Sequence, residues 1–251
     1  MKRIKFRSIA NIASLVITLL INYGANIVEL NGYTAGDVSD SVPTLFTPAG
    51  YVFSIWGLIY TWIIVYNVYQ LLPKQQEAAF QERIGWLFVI SNLFNSAWVF
   101  SWHYLIFPLS WLLIVGVFGT LLAIYLRLGV GKREVSPSEK WLVHTPFSIY
   151  LAWLSVATIA NTAIVLYDLG WNGTGLAEQL ATVLVIVVGG ALGVAMTLRR
   201  HEIAYPLVIV WAFVGIVVSQ EGIALVQWAA GLSALVVAIT LLTSRVFLRK
   251  Q

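Results

Sequence analysis

Long apolar stretches alternate with short polar segments along almost the whole chain. An α-helix rises about 1.5 Å per residue, so roughly 20 mostly apolar residues are needed to cross the hydrocarbon core of a bilayer. The first stretch could instead be a cleaved signal peptide, but its apolar run continues to Ile27 without a convincing cleavage site. The pattern predicts about eight membrane-spanning helices, at 9–29, 51–72, 84–103, 107–128, 145–167, 177–198, 204–220 and 223–247.

The basic residues test this count, because the cytoplasmic loops of membrane proteins are enriched in Lys and Arg. If the N-terminus starts inside and the chain crosses at every predicted span, all 15 Lys and Arg residues fall on the cytoplasmic side. Removing any one span would scramble this partition. The charges therefore predict eight spans with both termini in the cytoplasm. The outer side then receives no basic residue and six acidic ones: Glu29, Asp37, Asp40, Asp168, Glu178 and Glu221.

The composition also indicates a membrane protein. Hydrophobic residues make up 59% of the chain and charged residues 10%, whereas a soluble domain carries about 25% charged residues. So few charges cannot cover a water-exposed surface, and we expect an all-α polytopic bundle in the cell membrane. The net charge of +4 lies in the gaps between spans, so it is a topology signal and nucleic acid is not an expected partner. The absence of cysteine excludes disulfides and thiol chemistry.

Polar and aromatic side chains recur at helical spacing in three of the predicted spans. Residues three or four apart lie on one face of a helix, and polar groups within a membrane usually face the interior of the bundle. We therefore expect these three faces to meet inside the protein. The stripes are Phe53, Trp56, Tyr60, Ile63 and Asn67 in the second span, Asn92, Asn95, Trp98 and Trp102 in the third, and Pro146, Tyr150, Trp153, Ala157 and Asn161 in the fifth.

The three stripes reach a similar depth in the outer half of the bilayer. Trp56 lies about 9 Å below the outer end of its span, Asn95 about 12 Å and Asn161 about 9 Å. Aromatic walls with a few hydrogen-bonding groups are typical of a site for a flat apolar ligand, and the loop before the second span could cover such a site. Alternatively, the tryptophans form interfacial belts and the asparagines tie helices together. That interpretation stays open for each residue taken alone.

The same stripes resemble a known family, the TspO/MBR family of tryptophan-rich sensory proteins and translocator proteins. Residues 47–60 resemble the signature of its second helix, and Asn95 with Trp98 resembles the Asn-x-x-Trp of its third. The resemblance covers about the first 167 residues, with the motifs in the family's order. Its fifth-helix motif is matched by Pro146, Tyr150, Trp153, Ser155, Ala157, Thr158 and Asn161.

The resemblance implies two parts: residues 1–167 as a TspO-like five-helix bundle and residues 168–251 as an additional three-helix segment. It implies a ligand-binding sensor or carrier and not an enzyme. The implied ligand is a tetrapyrrole such as a porphyrin, or a similar flat hydrophobic molecule, and no other cofactor or metal is expected. The implied ligand-binding residues are Pro48, Phe53, Trp56, Tyr60, Asn92, Asn95, Trp98, Trp153 and Asn161.

The chain also departs from the family pattern. Thr162, Val165 and Leu166 stand where sterol-binding members have Tyr, Trp and Arg, so the resemblance does not carry sterol recognition to this chain. A small transporter or permease of unknown solute is the alternative function, although no inverted repeat is visible. An enzyme would need a buried acid/base pair, which the spans do not offer. The expected partners are the lipid bilayer, a small hydrophobic ligand and, as a possible homodimer, a second copy of the chain.

Overall fold

A computed structural model describes residues 6–171 and 175–248, and the regular elements in these ranges are all helical. Each of the eight predicted stretches coincides with a helix, so the all-helical class is confirmed. Short 3-10 turns lie at Leu30–Gly32 and Gly50–Ser54, and a π-helical turn at Lys140–His144 leads into a long helix. The α-helices are α1 (Phe6–Ile27), α2 (Ala35–Asp40), α3 (Ile55–Tyr69), α4 (Ala79–Ile84), α5 (Leu87–His103), α6 (Phe107–Leu128), α7 (Pro137–Glu139), α8 (Thr145–Asp168), α9 (Leu176–Arg200), α10 (Ala204–Ser219) and α11 (Ala224–Leu248).

Two of the eight predicted spans form helical segments that are shorter than a bilayer is thick. Helix α5 has 17 residues and α10 has 16, which is about 24–26 Å at 1.5 Å per residue, against a hydrocarbon core of about 30 Å. The count of eight spans, and the side of the membrane on which the termini lie, therefore stay predictions. Within the described ranges, six segments are long and apolar enough to cross a membrane: Phe6–Ile27, Gly50–Tyr69, Phe107–Leu128, Pro137–Asp168, Leu176–Arg200 and Ala224–Ser244.

Helix α8 joins two groups of helices. It packs against α3 and α6, while α5 packs against α1 and α6. Helices α9, α10 and α11 pack against one another, and α10 also contacts α8. Glycines allow this second group to pack closely, because a Cβ added at Gly189 or Gly193 would lie 3.0 Å from Phe213 or 3.1 Å from Val237. The division of the chain into two parts near residue 167 stays a prediction.

The cationic ends of several helices lie together. Arg7 at the start of α1 forms an ion pair with Glu82 of α4 at an N···O distance of 2.6 Å. Arg200 at the end of α9 donates a hydrogen bond of 3.1 Å to the carbonyl of Val130, just after α6. The hydroxyl of Tyr69, at the end of α3, donates a hydrogen bond of 3.3 Å to the hydroxyl of Ser138 in α7. These contacts define one end of the bundle, which we call the basic end.

The opposite end carries acidic residues and, within the described ranges, no Lys or Arg, and we call it the acidic end. There Asn31 donates a hydrogen bond of 3.0 Å to the carbonyl of His103, and Ser219 donates one of 2.7 Å to the carbonyl of Thr47. The predicted partition of charge along the chain is therefore a partition between two ends of one bundle. The described residues of this end include Glu29, Asp37, Asp40, Asp168, Glu178 and Glu221.

Helix α2 lies across the acidic end and is fixed there by its first turn. Thr34 and Asp37 form a reciprocal cap, in which the Thr34 hydroxyl accepts from the Asp37 N–H and the Asp37 carboxylate accepts from Thr34. The hydroxyl and backbone donors of Thr34 lower the pKa of the Asp37 carboxyl. Trp102 donates to the carbonyl of Ala35 at 3.1 Å, and Ala35 donates to the side chain of Asn26 at 2.9 Å. These bonds place α2 over the ends of α1 and α5.

Single cysteines can test which side of the membrane each end faces, because the chain has none of its own. Asp40 and Lys132 are both exposed and lie at opposite ends of the bundle. With the basic end in the cytoplasm, Asp40→Cys should react with an impermeant thiol reagent added to intact cells, and Lys132→Cys should react only after the cells are opened. Labelling of Lys132→Cys but not Asp40→Cys in intact cells would reverse the predicted orientation.

Candidate functional site

A cavity of about 400 Å³ lies in the half of the bundle nearer the acidic end. Five of the longer helices contribute to its wall, and α2 lies over it through Ala35, Gly36 and Ser39. Its volume is within the range of about 300–1,000 Å³ that is typical of small-molecule sites. The lining residues are Asn22, Tyr23, Asn26, Ala35, Gly36, Ser39, Pro48, Phe53, Ser54, Trp56, Gly57, Tyr60, Trp98, Trp102, Ile114, Trp153, Val156, Ala157, Ala160, Asn161 and Ile164.

Most of the residues predicted to bind ligand line this cavity. These residues come from different helices. The sequence pattern predicted that they lie at a similar depth in the membrane, but it did not show that they line one space. Their role in binding stays a prediction, but the structure brings them together around one space. The predicted residues in the lining are Pro48, Phe53, Trp56, Tyr60, Trp98, Trp153 and Asn161.

The two remaining predicted residues, Asn92 and Asn95, lie outside the lining. Asn95 is buried directly behind it, where its amide donates to the Tyr150 hydroxyl at 2.9 Å. Asn92 is also buried and donates to the hydroxyl of Ser14 at 2.9 Å, one turn of α5 nearer the basic end. Both side chains therefore contact protein groups, and Asn95 supports the wall from behind.

Aromatic rings form the walls in defined pairs. Trp56 stacks on Tyr60 with ring centroids 5.3 Å apart and an interplanar angle of 23°. Trp153 meets Trp56 edge-on at 6.2 Å and Phe53 edge-on at 5.8 Å. Offset stacks and T-shaped contacts are the favoured aromatic geometries and stabilise by about 0.5–1.5 kcal/mol beyond area burial. The rings from α3 and α8 thus hold one another in place without a ligand.

A second stacked pair comes from α5. Trp98 and Trp102 lie 5.4 Å apart at an interplanar angle of 23°. The indole N–H of Trp98 points to the Asn161 carbonyl oxygen at 3.4 Å, and Ser110 approaches the same oxygen at 3.4 Å. Both distances are long for hydrogen bonds. The Asn161 oxygen therefore retains capacity to accept a shorter bond from a ligand.

The polar groups around the cavity are few, and one donor lacks a partner. The buried indole N–H of Trp153 has no hydrogen-bond partner among the described residues. Leaving such a donor unpaired away from water costs about 1–3 kcal/mol. None of the described residues that line the cavity carries a formal charge.

Helix α1 contributes a wall that the sequence analysis missed. Asn22, Tyr23 and Asn26 all line the cavity. The Asn22 side chain accepts a bond from the Tyr60 hydroxyl at 2.9 Å and donates to the Asn95 carbonyl oxygen at 2.9 Å. The signal was present in the sequence, since polar residues recur along α1 at intervals of three or four: Ser8, Asn11, Ser14, Thr18, Asn22 and Asn26.

A second, larger cavity of about 640 Å³ lies beside the first, between α8, α9 and the segment before the 3-10 turn at Gly50. Its lining includes Thr162 and Leu166 of α8, together with Tyr167, Trp171 and Glu178. It lacks the stacked aromatic pairs and the asparagines that converge on the first cavity. None of the nine predicted ligand-binding residues lines it.

Comparison with known proteins identifies the class to which this fold belongs. A family model described as TSPO-like protein matches residues 8–243, which is nearly the whole chain. The chain therefore belongs to the TSPO-like family and is a multi-pass membrane protein of the TspO kind. The matched range includes α9, α10 and α11, which the motif resemblance did not reach. No curated protein and no solved structure matches the chain.

The pair of hydrogen bonds that joins Asn22 to Tyr60 and Asn95, which we call the Asn22 junction, can be tested by its effect on stability. Asn22→Ala leaves the buried Tyr60 hydroxyl without its acceptor and Asn95 without a donor, and should lower the free energy of unfolding in detergent by about 1–2 kcal/mol. Because Tyr60→Phe removes the same bond, we expect the double variant to lose less than the sum of the two single losses. The matched control is Thr240→Ala, since the exposed Thr240 hydroxyl bonds only within its own helix. Strictly additive losses would contradict the junction.

Proposed function

We propose that the chain is a TspO-like sensor or carrier that binds flat hydrophobic molecules, of the tetrapyrrole class, in the cavity between α1, α3, α5, α6 and α8. The observation that carries this proposal is the convergence of the seven predicted residues on one uncharged, aromatic cavity. A family resemblance alone would not require them to enclose a common space. Their shared lining makes binding a better explanation than an interfacial belt, which would spread tryptophans around the lipid-facing perimeter.

The shape of the walls favours a flat ligand. Indole and phenol rings offer broad planar faces, and Trp56, Trp98, Trp102 and Trp153 all reach the lining. Polar groups are placed singly among them, as in sites where a few hydrogen bonds set the orientation of an otherwise apolar molecule. The Asn161 oxygen has only two long contacts and keeps capacity to accept a shorter bond. We therefore expect stacking to supply most of the affinity and the Asn161 side chain to help orient the ligand.

We propose binding rather than catalysis as the activity of this cavity. General acid–base chemistry needs a side chain that gains or loses a proton near the working pH. The described lining offers asparagine, serine, tyrosine and tryptophan, and carries no carboxylate, imidazole or amine. These groups can position a ligand by stacking and hydrogen bonding. They supply no ready proton donor and acceptor pair for a reaction.

Substitution of a stacked ring should separate ligand binding from folding. Trp56→Ala removes an indole from the wall of the cavity. Since a stacking contact contributes about 0.5–1.5 kcal/mol, we expect a loss of affinity of a few-fold to about tenfold in a titration with a porphyrin ester. Trp228→Ala is the matched control, because Trp228 of α11 is 69% exposed and lies outside the cavity. Equal losses in the two variants would contradict the proposed site.

Trp171→Ala distinguishes the two neighbouring cavities in the same titration. Trp171 lines the second cavity and not the aromatic one. If the ligand occupies the aromatic cavity, Trp171→Ala should keep the affinity of the parent protein. A loss in Trp171→Ala with none in Trp56→Ala would move the ligand to the second cavity.

The charge of the ligand gives an independent test. Free protoporphyrin carries two propionates, and a desolvated carboxylate needs cationic or strong hydrogen-bond donors. The described lining holds no Lys or Arg, and the nearer end of the bundle is acidic. We therefore expect protoporphyrin dimethyl ester, or a cationic porphyrin, to bind more tightly than the free diacid. Tighter binding of the diacid that weakens with added salt would reveal a basic partner and contradict this account of the cavity.

A further inference from the structure

A polar pocket of about 420 Å³ lies at the basic end, far from the aromatic cavity. Three cationic side chains line it, from Arg133, Lys140 and Arg200. They belong to the segment after α6, the π-helical turn and the end of α9, which meet only in the folded protein. The other lining residues are Val130, Gly131, Glu134, Val135, His144, Thr145, His201 and Glu202.

The walls of this pocket are fixed by close backbone contacts. Gly131 has a positive φ of 73°, and a Cβ added there would overlap the carbonyl of Arg200. The Arg200 guanidinium donates to the carbonyl of Val130 at 3.1 Å and lies 5.3 Å from the centre of the Tyr125 ring. The cation is therefore held at the pocket by two contacts of its guanidinium, and the backbone of Arg200 is held by its close approach to Gly131. A long flexible side chain on an open surface would not be placed in this way.

The acidic side chains of the pocket do not cancel its cations. Glu202 is buried and accepts a hydrogen bond from Ser148, so its carboxylate is already engaged inside the protein. Glu134 is exposed. His144 is only 3% exposed, lines the pocket, and has a ring Nε2 without a hydrogen-bond partner among the described residues, 3.8 Å from a Glu139 oxygen. The pocket thus combines excess positive charge with an unused buried polar atom.

An apolar groove of about 650 Å³ continues from this pocket along the helices. The two spaces share four lining residues, so they form one continuous site with a polar and an apolar part. The shared residues are Lys140, Thr145, His201 and Glu202. The groove is otherwise lined mainly by apolar side chains of α3, α8 and α10: Ile55, Leu58, Ile149, Ile203, Ala204, Leu207 and Val208, with Ser54.

Three tryptophans also line the groove, at Trp62, Trp141 and Trp211. Tryptophan is enriched where hydrocarbon meets the polar headgroup layer of a membrane. The indole of Trp62 donates to the carbonyl of Trp141 at 2.9 Å, which joins α3 to the π-helical turn beside Lys140. This bond fixes the depth at which the groove meets the polar pocket. That depth is where the phosphate of a lipid would lie if its chain occupied the groove.

We propose that this composite site binds one anionic phospholipid, with the phosphate in the pocket of Arg133, Lys140 and Arg200 and an acyl chain in the groove. Excess cationic charge selects an anionic headgroup, and the groove supplies the apolar surface that a soluble phosphate does not need. The occupant enters from the leaflet at the basic end. If that end faces the cytoplasm, as the positive-inside rule predicts, the leaflet is the one that is typically rich in anionic lipid. The bound lipid joins α8 to α10 and stabilises the junction between the two groups of helices.

Binding of a phosphatidylglycerol with a fluorescent acyl chain to the delipidated, detergent-solubilised protein tests the proposal. We expect at least tenfold tighter binding than for the matched phosphatidylcholine, and displacement by unlabelled phosphatidylglycerol. Glycerol phosphate and inorganic phosphate should not displace the lipid at equal concentration, because they lack the acyl chain. Equal binding of the two lipids, or displacement by inorganic phosphate alone, would overturn the proposal.

Charge variants show whether the effect belongs to this pocket. Lys140→Gln and Arg133→Gln should each weaken phosphatidylglycerol binding about fivefold, which is the order of one cation near an anionic lipid surface. The matched control is Lys132→Gln, since Lys132 is exposed at the same end and lies outside the pocket lining. Equal losses in Lys132→Gln and Lys140→Gln would indicate general surface attraction and overturn a defined site. Lys140→Gln should also leave the porphyrin-ester titration unchanged. The proposal of a lipid site is therefore tested separately from the proposal of ligand binding in the aromatic cavity.

Discussion

A polar side chain inside a bilayer has no water to bond, so it must find its partner within the protein. This constraint determines how the first helices pack. Along α1, Ser8 bonds to Gln81, Asn11 to Gln70, Ser14 to Asn92, Thr18 to Ser96 and Asn22 to Asn95. Lipid cannot replace any of these partners, so α1 has one favoured rotation and one favoured height against its neighbours. The position of the cavity wall on α1 follows from that register.

The last of these α1 bonds, at Asn22, connects this row of hydrogen bonds to the cavity wall. Asn22 bonds to Asn95 and Tyr60, and Asn95 bonds to Tyr150, so helices α1, α3, α5 and α8 meet in one connected group. Trp56 stacks on Tyr60, which places its indole by way of this polar group. Most of the polar capacity around the cavity is thereby used by the protein itself. A ligand in the proposed site would therefore meet mainly aromatic faces, and we expect its recognition to depend on its shape and its stacking surface more than on its hydrogen bonds.

Sequence reasoning reached the helix positions and most of the cavity because both depend on periodic patterns. Phe53, Trp56 and Tyr60 stand on one stripe, and large aromatic residues at membrane depth are conspicuous. The contribution of α1 was missed because its polar side chains can also bond to their own helix, as Asn26 does to the carbonyl of Asn22, so each alone signals little. The sequence also could not show that Asn95 lies behind the cavity wall and supports it. Periodicity assigns a residue to a face, but whether it touches the cavity or a neighbouring side chain depends on helix rotation by a fraction of a turn.

The separation of charge has consequences beyond topology. Placing the described Lys and Arg at one end leaves the aromatic cavity without a cation, which limits the ligands it can desolvate. The same separation concentrates cations where α6, α9 and the π-helical turn meet, beside an apolar groove. One sequence feature thus underlies both proposed sites, which differ in preference: an uncharged one for a flat molecule and a cationic one for a phospholipid. Because α8 lines both spaces and joins the two groups of helices, its packing positions the aromatic wall and the apolar groove in one fold.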